Sequence, residues 1–136
     1  MTETSLTALG IPAGHHDFFS RPLVATLTTV GADGLLQSTA IWYLFDEGEI
    51  RMSVRKDRQK YINLARDPRA TLFIIDPDNA TRTLEIRGRV ELRDDPGASK
   101  AERFAPMYGK PPSTWDPEGS QRALIIIRPE RVVTLG

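Results

Sequence analysis

The sequence predicts a mainly β protein of antiparallel strands with small flanking helices, curled into a closed or partly closed barrel. Three observations lead there. Leu84, Ile86, Gly88, Val90 and Leu92 interleave with Glu85, Arg87, Arg89, Glu91 and Arg93, the period of a long half-exposed strand. Glycine and proline fall between the patterned runs as turn punctuation, with no repeat or linker interrupting the chain. Between strands, only residues 57–66 change clearly to helical spacing.

In chain order, residues 12–20 read as a short helix that Pro22 ends, with Phe18 and Phe19 able to lie on the body of the domain. Val and Thr enrichment predicts a strand over residues 23–30, and Gly31, Ala32, Asp33 and Gly34 form a hairpin turn into a second strand, 35–45. Asp46, Glu47 and Gly48 turn the chain into a third strand, 49–55, so these three form an antiparallel meander. In 57–66, Tyr61, Leu64 and Ala65 share a helix face, Asp57 is the expected N-cap, and Asp67 and Pro68 stop the helix. Residues 71–76 are apolar enough for a strand buried on both faces, and Pro77, Asp78 and Asn79 turn into the long alternating strand. Residues 98–108 read as a helix and 109–119 as a proline-rich loop. Residues 123–127 read as a fully buried strand continued by 131–135, for a sum of six or seven strands.

At 136 residues the chain fits one domain, 1–136, long enough to bury a core without staples. Eighteen Lys and Arg balance eighteen Asp and Glu, so no net positive field exists for coating nucleic acid or an anionic membrane. The absence of cysteine excludes a disulfide framework, thiolate metal sites and cysteine nucleophiles. Residues 1–13 lack the charged and apolar regions of a signal peptide, and no apolar run approaches membrane-spanning length; a cytoplasmic location is the expectation.

His15 and His16 are adjacent, so on a helix they point about 100° apart and do not grip one metal together. They read as surface or packing residues, and no metal is expected. There is no nucleophile elbow, P-loop or glycine-rich dinucleotide fingerprint. What stands out is Arg55, Lys56, Asp57, Arg58, Gln59 and Lys60, where a strand ends and a helix begins. Cations are disfavoured at a helix start, whose free N–H groups and dipole favour an anion. Arg58 and Lys60 in the first turn would add charge-assisted hydrogen bonds to such an anion. A solvated charge run is the other reading of the same residues.

Residues 51–88, RMSVRKDRQKYINLARDPRATLFIIDPDNATRTLEIRG, resemble the core of the pyridoxamine 5'-phosphate oxidase-like split-barrel superfamily. The run RQK-x-x-NL-x-RDPR is similar to its deazaflavin-dependent branch. The resemblance extends back through ATLTTVGADGLLQSTAIWYLF (25–45) and forward to ALIIIRPERV (123–132), covering nearly the whole domain. It implies a six-stranded antiparallel split β-barrel working as a homodimer, with two cofactor sites at the subunit interface. Position by position, it implies that Arg58 and Lys60 hold the cofactor phosphate. It places Ser53 and Val54 beneath a tricyclic ring, Gln37 and Ser38 at the ring's pyrimidine edge, and Trp115 and Arg122 in a segment laid over the site. The loop around Trp115 departs in spacing from the oxidase proper. Without the resemblance, Ser53, Val54, Gln37 and Trp115 read better as ordinary strand and loop residues, and only Arg58 and Lys60 stand on physical grounds alone.

The resemblance leaves two cofactors to weigh, FMN and the deazaflavin coenzyme F-420. FMN ends in one phosphate, whereas the deazaflavin continues through phosphate and lactate into glutamates. Arg55, Lys56, Arg58 and Lys60 offer more positive charge than one phosphate needs, which with the motif favours the deazaflavin. The cofactor would carry the chemistry and the protein its orientation. The implied reaction is hydride transfer to a conjugated or quinone-like small-molecule acceptor, with no proton donor or other catalytic side chain legible. The alternatives are an FMN-binding oxidase-like protein and a non-catalytic flavin-binding or storage protein. A nucleic-acid module ranks last, lacking net charge and a stacking row of aromatics.

Overall fold

Ala25, Leu27 and Thr29 point inward along β1 (Val24–Val30) while Val24 and Thr26 face outward, the alternation of a strand with one face on a core. The computed structural model describes residues 4–136; residues 1–3, part of the segment read for a signal peptide, lie outside the described residues. The remaining strands are β2 (Leu36–Trp42), β3 (Leu44–Asp46), β4 (Glu49–Arg55), β5 (Arg69–Asp76), β6 (Asn79–Asp94) and β7 (Arg122–Leu135). They make one antiparallel sheet in the order β2-β1-β5-β6-β7-β4-β3.

That order explains the barrel. β2 ends at Trp42 and β3 begins at Leu44, yet they lie on opposite edges of the sheet. A single intervening residue, Tyr43, spans only a few ångströms, so the sheet must curl until its edges meet. No ladder joins the two edges, and the barrel is split there. The single strand expected over 35–45 is therefore two strands, which brings the total to seven and not six. The expected meander also fails at this break, because β4 pairs with β3 and β7 and not with β2.

Side chains staple the split. The Tyr108 hydroxyl lies 2.8 Å from the Leu23 carbonyl oxygen and 3.0 Å from that of Tyr43, and burial pushes its phenol up to about 12. The Tyr43 hydroxyl donates to the Phe18 carbonyl, tying in the 3-10 helix Ala13–Phe19. Phe18 and Phe19 of that helix are buried, as their spacing predicts. His15 is buried against Phe18, and the His16 ring lies 2.8 Å from the Ile11 carbonyl oxygen. The core runs through Ile50, Met52, Leu72, Ile74, Leu84, Ile86, Ile125 and Ile127.

Other expectations shift locally. β5 alternates instead of burying both faces, with Ile75 exposed in the described chain. β7 is one continuous strand that passes through Pro129 at a bulge opposite Gly88. A Cβ on Gly88 would overlap the Arg128 carbonyl oxygen, so only glycine fits there. The helix expected over 98–108 is broken into 3-10 turns, Pro96–Ala98 and Ala101–Phe104, and α2 (Ala105–Tyr108), with Pro106 in the first turn of the last. The other helix, α1 (Gln59–Arg66), starts later than expected: Arg58 stands at the N-cap, and Asp57 instead holds the Arg55 guanidinium. Ala65 is exposed and Asn63 is buried in its place beside Leu64. No helix among the described residues is long and apolar enough to cross a membrane.

Candidate functional site

β4 is buried on both faces, which an ordinary half-exposed strand is not. Val54 and Ser53 are neighbours and so point to opposite sides, yet Val54 is 1% exposed and Ser53 7%. The barrel core covers one side, and the other is the floor of a cleft of about 390 Å³, the size range of small-molecule sites. The cleft straddles the split. One wall comes from the β1 and β2 edge through Val24, Ala40, Ile41 and Trp42, and the opposite one from Ser53, Val54 and Arg55 of β4. Phe104, Pro112 and Trp115 close it from the C-terminal segments, while Arg58, Lys60 and Arg122 supply its charge.

Trp42 is stacked on Tyr108, ring centroids 4.5 Å apart and nearly parallel, so it is a rigid wall. Trp115 is 69% exposed, with the Lys110 ammonium 4.7 Å from its ring centre. Arg122 is bound by Asp116 and by the Pro112 carbonyl, and its Nη1 donates to Ser53 Oγ at 3.2 Å. Arg122 thereby fastens the 109–121 loop to the cleft floor.

The cations differ sharply in their partners. Arg55 lines the cleft but is bidentate on Asp57, and Lys56 points elsewhere, 2.6 Å from Asp94 in a separate depression. Arg58 and Lys60 have no carboxylate partner among the described residues; the Lys60 ammonium reaches only Thr39 Oγ1, at 3.5 Å. Burial, and then the like charges of Arg58 and Arg122, hold Lys60 below the usual lysine range. A half-buried ammonium beside two guanidiniums is an electrostatic liability that a bound anion would relieve.

Of the residues singled out from sequence, Arg55, Arg58, Lys60, Ser53, Val54, Trp115 and Arg122 are brought together in the cleft. Lys56, Gln37 and Ser38 are not among its lining residues. Gln37 accepts from Asn63 at 3.0 Å, and the Ser38 hydroxyl lies 2.9 Å from that of Thr28. Sequence reasoning missed Val24, Ala40, Ile41, Trp42, Phe104 and Pro112. Nothing in their local pattern marks them, because their place in the site depends on where the barrel closes.

The pyridoxamine 5'-phosphate oxidase family profile matches residues 11–136. No match is found among the curated proteins. Among solved structures, the chain is similar to an F-420 reductase at 35% identity, covering 90% of this chain and 98% of that one with a TM-score of 0.79. It is also similar to a conserved hypothetical protein from Mycobacterium tuberculosis, at 27% identity over 98% of this chain and 89% of that one, TM-score 0.69. A heme-binding protein from Mycobacterium smegmatis shares the fold at 21% identity and TM-score 0.68, covering 92% of this chain and 55% of that one. With its profile match over nearly the full length, the chain belongs to the pyridoxamine 5'-phosphate oxidase family, as a split-barrel protein akin to the F-420 reductase.

Proposed function

We propose that the chain is a deazaflavin-dependent oxidoreductase that holds coenzyme F-420 in the cleft and delivers a hydride to a conjugated or quinone-like small molecule. The observation that carries this reading is the pair Arg58 and Lys60, unpaired cations at the rim of an otherwise largely apolar cleft. The residues fit such a group. Arg58 and Lys60 would take its phosphate, Ser53 and Val54 would lie beneath its ring, and the Trp42 and Trp115 walls would exclude water from its faces. When bound, the reduced deazaflavin supplies the hydride. Ser53 accepts a hydrogen bond from Arg122, which leaves its own O–H free to donate to an acceptor in the cleft.

FMN is the competing cofactor, and one observation favours it. With Arg55 and Lys56 neutralised by Asp57 and Asp94, the free charge matches a single phosphate better than an extended anion. Likeness to the F-420 reductase weighs the other way. Fluorescence titration of purified protein with both cofactors decides: tighter binding of F-420 is expected, and tighter binding of FMN would reverse the assignment. Turnover is tested by reoxidation of reduced F-420 in the presence of quinone and enone acceptors. Tight binding without acceleration over a broad panel would favour a binding or storage role.

The proposal includes a homodimer. The outward face from Leu36 and Ala40 on β2, across Val24 and Thr26 on β1, to Phe73 and Ile75 on β5 is largely apolar, with Arg69 beside Leu36 at one end, and it runs into the cleft at Val24 and Ala40. A second copy seated there would bury apolar surface and wall the open side of the site.

A further inference from the structure

The cation pair rides on α1, and little apolar packing holds that helix in place. Eight residues make an intrinsically unstable helix. Leu64 is its only buried apolar residue, Ile62 and Ala65 face solvent, no side chain caps Arg58, and no acidic residue stands in the first turn. Leu64, with Tyr61 half-buried against the core beside it, sets the distance of the helix from the sheet but only weakly its rotation, because hydrophobic burial is non-directional.

Asn63 supplies the direction. It is 2% exposed, and both the amide nitrogen and the amide oxygen of its side chain are hydrogen-bonded. Its Nδ2 donates to Thr29 Oγ1 on β1 at 3.1 Å and to Gln37 Oε1 on β2 at 3.0 Å, and its Oδ1 accepts from Gln59 Nε2 at 2.8 Å. Lys60 lies three residues before Asn63, on the same helix face, and its ammonium meets Thr39, two residues along β2 from Gln37. Rotation of the helix that broke the Asn63–Gln37 bond would also swing Lys60 away from the cleft.

We propose that Asn63 is the positioning residue of the proposed anion site, its amide locking the rotation of α1 so that Lys60 faces the cleft. Gln37 then serves this site from beneath the helix, as the acceptor that Asn63 reads on β2. The inference rests on the function proposed above, but its first test needs no cofactor.

In the apo protein, the Lys60 ammonium is titrated by NMR with lysine-selective labelling, in wild type and in Asn63→Ala. The groups facing it are Arg58 at the helix start and Arg122 on β7, with Thr39 on β2. If Asn63 sets the rotation, Lys60 returns toward the ordinary lysine range as it swings into water. An unmoved Lys60 in a folded Asn63→Ala protein overturns the proposal. If Asn63→Ala does not fold, Gln37→Met removes only the β2 acceptor, and the same shift of Lys60 is expected.

The second test is a cycle in cofactor affinity. Asn63→Ala should weaken binding of the preferred cofactor roughly tenfold on the wild-type background. On a Lys60→Ala background it should have almost no effect, because the group it positions is gone. Equal losses on both backgrounds would show a general structural role and overturn the proposal. Failure of wild type to bind either F-420 or FMN would sink the functional reading alone, since the Lys60 titration would still decide the positioning role.

Discussion

At the scale of single residues, the candidate site turns on which cations are free. Lys60 is depressed by burial and by its cationic neighbours, so in the apo protein its charged form is less stable folded than unfolded. The resulting penalty is fully present below its folded pKa and is relieved as pH rises from there to the ordinary lysine value. Lys60→Met should therefore raise the melting temperature of the apo protein at neutral pH, with the difference from wild type closing as pH rises into the lysine range. The same substitution, and Arg58→Ala, should each cost cofactor binding about 1.5 to 3 kcal/mol, one lost charge-assisted hydrogen bond apiece. Titration of each variant against wild type checks this, and unchanged affinity in both would reduce the cluster to a solvated charge run. Lys56→Ala is the control. Its partner is Asp94, outside the cleft, and its removal should leave affinity nearly unchanged.

At the scale of elements, two joints hold the barrel in the shape that the site needs. Tyr108 closes the split from α2, and Tyr108→Phe would strip the Leu23 and Tyr43 carbonyls of their shared partner. A loss of about 1 to 3 kcal/mol in urea unfolding is expected, with weaker cofactor binding because Trp42 is stacked on the same ring. The other joint is an ion cluster. Arg82 joins the Ala13–Phe19 helix, through Asp17 and the Gly14 carbonyl, to Asp76 at the end of β5. The hydrogen bond from Arg21 first, then the Asp78 N–H, holds Asp76 far below the usual carboxylate range. Its contribution is present above the unfolded carboxylate pKa and is lost as pH falls through the lower folded value. Wild type should lose melting temperature steeply in that acid window. Asp76→Asn should be less stable at neutral pH and show a flatter acid limb.

At the scale of the whole molecule, the proposed homodimer would cover the largely apolar outward face of β2, β1 and β5 and close the open side of the cleft. Light scattering should give a dimer. Thr26→Arg would place a charge between Ala40 and Phe73 on the outward face without touching the core, and should yield a folded monomer with weakened cofactor binding. A wild-type monomer that binds cofactor at full strength would refute the dimer.

The sequence by itself determined the features that depend on residues close together in the chain. Period-two alternation over 84–93 marked the greater part of β6, turn residues delimited β4 to its observed ends, and helical spacing with a basic start located α1 and its cations. Recognition of the family followed from the same stretch. Only the tertiary structure decided what depends on partners far along the chain. Tyr43 breaks an unbroken apolar pattern because the sheet closes there, which turns Val24, Ala40 and Trp42 into cleft walls. Lys56 is silenced by Asp94, thirty-eight residues away, while Lys60 is left without a carboxylate. Gln37 meets Asn63 and not the cleft for the same reason. Periodicity and turn chemistry are local, whereas strand pairing, ion pairing and burial are settled only when the sheet curls and distant segments meet.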